Sequence, residues 1–380
     1  MASKKQEYRS ESDSLGEIAV PVSAYWGVRT ARYLQNAAKL QSTNPRFLEA
    51  ALLVHKANAQ ANADAGKVER PIGRTLSQTV DEVLSGQWRE QFVVSLMQPN
   101  AVSDYIANIR EVLANRAGEI LGAVPGSYRI VHPEMHVGLS RKPAEDFSIA
   151  LRIAILLLLK DLEVPLRDLE RLLRRKALDF DRFSKNENGV TSNELAHSLN
   201  ASGADVAKIC RRIQDLSCNL NEIPFCKNAG TEYGGDALQA KLVCEQLSSI
   251  TNFNLRVVDE SVLFQSNSDF VEFSAGLRLL SLTLNNIVQD KQDFVPQAIS
   301  DFMCAVSSQV VALDAAVASM AQSGLLRSES FLALAAQNIL LSVDLLKQCI
   351  SLFNQQCING SGTALKLSSN DRPSNLAMSV

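Results

Sequence analysis

The stretch Ile153 to Leu159 is apolar at every position, between Arg152 and Lys160. A helix apolar around its whole circumference has no face for water and must be buried on all sides. Asp301 to Met320, mainly Ala, Val, Ser and Met, poses the same demand over a longer span. Around these stretches the period is helical: Ile149, Ile153, Leu156 and Leu157, then Leu166, Leu169, Leu172 and Leu173. Pro165 suits the first turn of a second helix, or a kink between two. Further helices are expected over 193–221, 268–289, 296–322 and 330–359, with Gly324 and Gly360 at C-terminal positions. β-branched alternation is scarce, so little sheet is expected. The fold class is all-α.

Long helices with few polar faces leave one chain short of layers to cover them. This predicts helices shared between subunits in a homo-oligomer, a dimer or tetramer. A well-packed monomeric bundle is the alternative. Ala305, Ser307, Ser308, Ala312, Ala315, Ala316 and Ala318 would allow close helix approach.

A formal charge of −3 argues against a nucleic-acid or membrane surface. Met1 to Glu17 is polar, without a signal-peptide core, and the longest apolar run is too short to span a bilayer. A soluble, cytoplasmic protein is expected. Its seven cysteines, with no CxxC pair, are expected to be free buried thiols. His132 and His136 flank Pro133, which disfavours a helical metal pair. The bland reading is a loop with satisfied histidines, and nothing calls for a metal or cofactor.

The opening Tyr8-Arg9-Ser10-Glu11-Ser12-Asp13-Ser14-Leu15-Gly16, then Val20-Pro21 and Tyr25 to Thr30, resembles aspartases and class II fumarases. Gly86 to Val94, Glu111 to Ala117, His132-Pro133, His136-Val137, Ala150 to Ala154 and Gly230-Thr231 continue the resemblance in order, to about residue 360. It implies a small N-terminal helical domain (1–145), a central domain of long helices (146–360) and, after it, only a loose tail (361–380) where the family has a third domain. It also implies a twenty-helix core shared by four subunits, with each active site built from three.

The family eliminates a group β to a carboxylate. A base must remove a weakly acidic carbon-bound proton, and hydrogen-bond donors must hold the dianion that develops. Where the family has a Gly-rich Ser/Thr loop, this chain has Asn100-Ala101-Val102-Ser103-Asp104. Ser103 remains a donor. An inward, ionised Asp104 would repel a carboxylate by about 4 kcal/mol at ~4 Å and an effective dielectric of ~20. The Ser-Thr-Asn segment becomes Ser140-Arg141-Lys142-Pro143-Ala144-Glu145. Ser140 survives, Pro143 removes an N–H, and Arg141 with Lys142 offers a new way to bind an anion. The alternative is a solvated turn before a helix at Ile149, capped by Asp146 or Ser148. The Thr-His pair becomes Thr191-Ser192, and Thr191 with Glu194 also reads as a capping box. The base-bearing signature loop is absent: Asn285 to Val288 runs through Gln289 to Phe294 directly into Val295-Pro296-Gln297. Ser307-Ser308, within a helical pattern, does not replace it.

Two functions follow as expectations. One is a non-catalytic scaffold or regulatory oligomer, alone or as a heteromer with an active paralogue. The other is a repurposed enzyme doing lyase- or isomerase-type acid/base chemistry on a small carboxylate. Its candidate catalytic residues are Lys142, His136, Glu145 and Asp104, with Ser103, Ser140, Arg141 and Thr191 binding substrate.

Overall fold

The computed structural model describes residues 7–36, 44–98, 100–187, 190–225, 237–259, 267–290 and 295–358. An antiparallel hairpin opens the chain: β1 (Tyr8–Asp13) pairs with β2 (Gly16–Pro21), from Tyr8 opposite Pro21 to Asp13 opposite Gly16. Helices α1 (Val28–Asn36), α2 (Pro45–Asp64), α3 (Arg70–Leu84) and α4 (Ala101–Ile120) follow. A single wide turn, Pro133–Val137, leads to α5 (Pro143–Glu187) and α6 (Val190–Asn219). Strand β3 (Glu222–Phe225) pairs in parallel with β4 (Arg256–Asp259), across α7 (Ala237–Thr251). The chain continues with α8 (Ser268–Gln289), α9 (Gln297–Gln322) and α10 (Glu329–Phe353). The all-α expectation holds, with the two small strand pairs as its only described sheet.

Pro165 separates no helices: α5 runs through it for 45 residues, roughly 65 Å at 1.5 Å per residue. The Asn354 amide donates to the Pro165 carbonyl at 2.8 Å. Packing on both flanks, against α6 and α10, outweighs the local cost of the proline. Helix α5 also starts at Pro143, six residues before Ile149, because proline is well suited to a first helical position. Helix α6 begins at Val190, so Thr191 lies within its first turn and not ahead of it.

Two expectations about burial divide. Phe147 to Ile155 is buried, with Ile153, Ala154, Ile155 and Leu158 at 0% exposure. The chain's own α2, α4, α6 and α10 pack on α5, so this stretch needs no partner. Helix α9 is different: Ala298, Phe302, Ala305, Ala312, Ala315 and Ala318 are exposed, whereas Ser307 is buried. Gln297–Gln322 and Glu329–Gln356 are long and apolar enough to cross a bilayer by length and composition, beyond what the longest unbroken apolar run suggested. Buried polar ties nevertheless hold α9 to α8: Asp314 accepts from Ser274 Oγ at 2.7 Å and pairs with Arg278 at 2.6 Å.

Cys244 and Cys349 are free and buried, but Cys218 is exposed. Gly230, Thr231, Gly360, the tail and the 291–294 junction lie outside the described residues, as do Cys226 and the side chains of Thr191, Ser192 and Cys357.

Candidate functional site

The segments expected to form the site lie in two places on α4 and its neighbours, plus one remote position. The first place is the N-terminus of α4. Ser103, in the first turn, donates its hydroxyl (2.7 Å) and its backbone N–H (3.3 Å) to the same carboxylate oxygen of Glu329. Glu329 stands in the first turn of α10, 226 residues later in the chain. The donor that the sequence singled out is therefore already engaged by an internal acid. Asp104 pairs with Arg29 at 3.3 Å. Burial raises the Asp104 pKa, the Arg29 cation opposes that shift, and the Glu329 charge adds to it.

About 10 Å further along α4 is Arg110, seven residues and two turns on. Its fully buried guanidinium donates to Asp146 Oδ2 at 2.8 Å and to the Arg141 carbonyl at 3.0 Å, and pairs with Glu134 at 2.5 Å. Arg141 donates Nε to the other Asp146 oxygen at 2.9 Å and lies over the Phe225 ring at 4.5 Å. Burial opposes ionisation of Asp146, but Arg141 and Arg110 outweigh it and hold the carboxyl down at about 2. Two arginines sharing one buried carboxylate make a structural ion cluster, and the expected solvated turn is not there. Arg141 Nη1 and Nη2 and His55 Nε2 are buried without a hydrogen-bond partner; Nη1 lies 3.7 Å from Glu145.

Glu145 is the third residue of α5 and accepts from the Lys142 N–H at 3.3 Å, one half of a capping box. It is buried, whereas Lys142 is exposed. The cap expected from Asp146 or Ser148 is thus supplied by Glu145, and Pro143 takes the first position, where its missing N–H costs nothing. Ser140 is buried with φ of 64°, a left-handed backbone that serine adopts reluctantly. Gly138 makes room for the cluster, because a Cβ there would lie 2.4 Å from Arg110 Nη1.

His136 is half-buried beside His132. Its Nδ1 accepts the His132 N–H at 2.8 Å, while His132 Nδ1 accepts from Glu134 and Met135 at 3.1 and 3.2 Å. Burial, and then the neighbouring His132, lower the His136 pKa. Nδ1 of each histidine is satisfied by backbone of the same turn, and among the described residues no group of three metal-ligating side chains occurs.

Thr191 is remote. Helix α5 separates Ser140, at its start, from Thr191, just past its end, by on the order of 60 Å. One chain therefore sets Ser103 in the first turn of α4 and brings Arg141 to Arg110 two turns on, but places Thr191 near neither.

Sequence reasoning missed Glu329 and Arg110, and the roles of Asp146 and Glu111 as acceptors. Arg110 falls at helical spacing between Ile106 and Leu113, on an apolar face, which was a usable signal, since a buried cation requires a partner. Glu111 caps α1: it accepts the N–H groups of Gly27 (2.8 Å), Arg29 (2.9 Å) and Thr30 (3.2 Å) and the Thr30 hydroxyl (2.7 Å). The segments Gly27–Thr30 and Glu111–Ala117, read separately in the sequence, meet in this one contact.

A cleft of about 760 Å³ opens beside Tyr105, lined by Arg46, Asp161, Asp344 and Lys347 among others. Most of its charges pair with one another, Arg46 with Asp161 at 2.9 Å and Glu49 at 2.6 Å, and Lys347 with Asp161 at 3.5 Å; Arg89 also lines it.

A family model described as "Lyase" matches residues 16–292. The aspartate ammonia-lyase of Bacillus subtilis is 30% identical over 297 residues, covering 76% of this chain and 62% of that protein. The chain thus spans less than two thirds of that relative's length. The class II fumarate hydratase of Thermosynechococcus vestitus is 26% identical over 392 residues, covering 93% and 83%. A solved fumarate lyase:delta crystallin from Brucella melitensis, bound to cobalt, superimposes with a TM-score of 0.83 at 26% identity, over 93% and 85% of the two chains. With its long-helix architecture and a lyase match over most of its length, the chain belongs to the aspartase/fumarase superfamily.

Proposed function

We propose that this chain keeps the frame of the lyase superfamily without its elimination chemistry, and acts as a non-catalytic oligomeric scaffold or regulatory partner in the cytoplasm. One observation carries the reading: four of the polar groups singled out as site candidates are engaged by other groups of the same chain. Ser103 is bound to Glu329, Asp104 to Arg29, Arg141 to Asp146, and His136 to a backbone N–H. The junction between α8 and α9 is only seven residues, 290–296, where the family carries its base. One oxyanion donor alone is worth about 10²–10³ in rate. The curated relatives are named for their lyase and hydratase activities, so the proposal concerns this chain's own residues.

Oligomerisation is supported by the uncovered apolar face of α9 and by the remoteness of Thr191, which only another copy could bring to Ser103 and Arg141. Light scattering on the purified chain should return two or four times the chain mass. A monomer binding no paralogue would remove the scaffold reading, and a micelle-dependent particle would instead favour α9 and α10 as membrane helices.

Turnover is tested by following fumarate absorbance with L-aspartate or L-malate as substrate. The expected trace is flat, and a rate that follows enzyme concentration would overturn the loss of chemistry. A repurposed cleft is favoured by one feature, the buried Arg141 guanidinium, whose Nη1 and Nη2 make no hydrogen bond. Arg141→Met would abolish such an activity, whereas in a scaffold it changes stability alone.

A further inference from the structure

We propose that a cavity between α5 and α6 is a binding site for a small, uncharged aromatic molecule of about the size of indole. The two helices pack along their length, yet they leave a cavity of about 170 Å³, with Phe253, in the turn after α7, as part of its wall. Protein interiors are packed like organic crystals and hold few voids larger than a water molecule, so a space of this size is unusual. An engineered cavity of about 150 Å³ lined by Leu, Ile and Phe stays dry and takes up benzene. The floor here has the same chemistry: Leu156, Leu162, Leu166 and Ile213 are between 0% and 6% exposed. Water on such a floor finds no hydrogen-bond partner, and an apolar solute that displaces it gains burial.

The three charged residues that line the cavity decide the charge of its ligand. Lys160 donates to the Thr251 carbonyl at 3.2 Å and sets Nζ 4.0 Å from the centre of the Phe253 ring. Glu163 pairs with Arg167 and accepts from the Gln214 amide at 3.1 Å, which ties α5 to α6 at the cavity. These pairings leave no opposite charge for an ionic ligand, and an ion carried onto the leucine floor would lose its water without compensation. Cys210 and Phe253 select for a ring. A sulfur makes favourable contacts with aromatic edges, and two rings add to the energy of their burial. Burial pushes the Cys210 thiol up to about 11, so it stays uncharged at neutral pH. Leu156 and Leu166 lie 10 and 20 residues beyond Asp146 on α5, roughly 15 and 30 Å along the helix. The cavity shares no residue with the Arg110–Asp146–Arg141 cluster or the Ser103–Glu329 contact.

The proposal stands apart from the lyase reading, and its test is binding and not turnover. Full-length wild type is titrated with indole by equilibrium dialysis. Cys210 is then modified with N-ethylmaleimide, with and without indole, and followed by peptide mass spectrometry. Cys218, exposed about two turns further along α6, is the internal control. Indole at about ten times its dissociation constant should slow modification of Cys210 roughly tenfold, because only the empty fraction reacts, and leave Cys218 unchanged. Indole-3-acetate, the same ring with a carboxylate, should bind at least about tenfold more weakly. Cys210→Phe, which grows a ring into the cavity, should abolish indole binding. Should that variant fail to fold, Ser217→Phe, on the same wall of α6, is judged in its place. A wild type that takes up no indole would overturn the proposal, whether the cavity closes in solution or is filled by a side chain of a second copy. So would uptake that leaves Cys210 modification unslowed, which would put the ligand elsewhere. Equal affinity for indole-3-acetate, or for the ring-filled variant, would overturn it as well.

Discussion

Helices α1 and α4 both begin against a carboxylate borrowed from a distant helix, yet the two arrangements differ in kind. At α1, Glu111 accepts four hydrogen bonds, three of them from backbone N–H groups on three different residues, and is buried. At α4, Glu329 accepts two, both from Ser103, and is half exposed. The first is a lock that fixes the entry of a helix; the second is a contact that one side chain makes and one side chain could surrender. The lock is built from segments that resemble the superfamily closely, Gly27 to Thr30 and Glu111 to Ala117. The replaceable contact lies in the segment where the glycines have gone.

The comparison predicts unequal losses. Glu111→Ala would strand three N–H groups and a hydroxyl in a buried setting, with no water to replace the acceptor. Hydrogen bonds to a charged group contribute about 1.5–3 kcal/mol each, so losing several is expected to cost roughly 3–5 kcal/mol after relaxation. Urea unfolding measures it. A loss no larger than that of Glu329→Ala would erase the distinction between lock and contact.

Gly138→Ala tests whether the Arg110–Asp146–Arg141 cluster is equally a lock. The new Cβ would meet the Arg110 guanidinium at 2.4–2.8 Å, against a side chain held by Asp146 and Glu134. Overpacking of this kind costs about 1–3 kcal/mol. An unchanged Tm would show that Arg110 can move aside, and the cluster would then belong with the replaceable contacts.

This contrast also explains what the sequence disclosed. Helical period and apolar content depend on neighbours along the chain, so α8 was legible from Ser268 to Gln289 at both ends. The continuity of α5 through Pro165 was not legible, because it depends on α6 and α10 packing alongside. In the site, Ser103, Asp104, Arg141 and Glu145 were singled out by residue type, but not their partners. Whether an arginine faces a substrate or an aspartate is decided across the fold. The partners of Ser103 and Asp104 lie 226 and 75 residues away in the chain. Even for Arg141, whose partner Asp146 is five residues on, the sequence leaves open an anion-binding group or a solvated turn, because its burial depends on contacts across the fold.

Acid sharpens the comparison further, since each buried group fails in its own pH range. Burial lowers the pKa of His55 and of His136 in the folded state, so unfolded chains bind more protons as pH drops below about 6.5. Their contribution is complete above that value and is lost on acidification through the folded pKa values. Asp146, held at about 2, behaves in the same sense at lower pH: its contribution is present above about 4 and disappears between about 4 and about 2. Denaturant midpoints measured from pH 7.5 to 3 should therefore fall in a first step near pH 6 and again below 4. His55→Gln and His136→Gln together should flatten the first step alone. Its persistence in that double variant would assign the step elsewhere.

The smallest effect is expected at the α4 contact itself. Removing a side chain that satisfies one helix N-terminus costs typically about 1 kcal/mol, and Glu329 leaves Ser103 in a place that water can reach. Glu329→Ala should therefore unfold at slightly lower urea with an unchanged slope. Glu329→Gln, which keeps an acceptor but no charge, should lose less. The slope matters as much as the midpoint, because a changed m would mean that α10 had come away from α4 and that the contact holds more than one side chain. In that case Glu329 would be a second lock. A modest loss at constant m, beside a loss several times larger at Glu111, would mark the α4 contact as replaceable where the α1 cap is not.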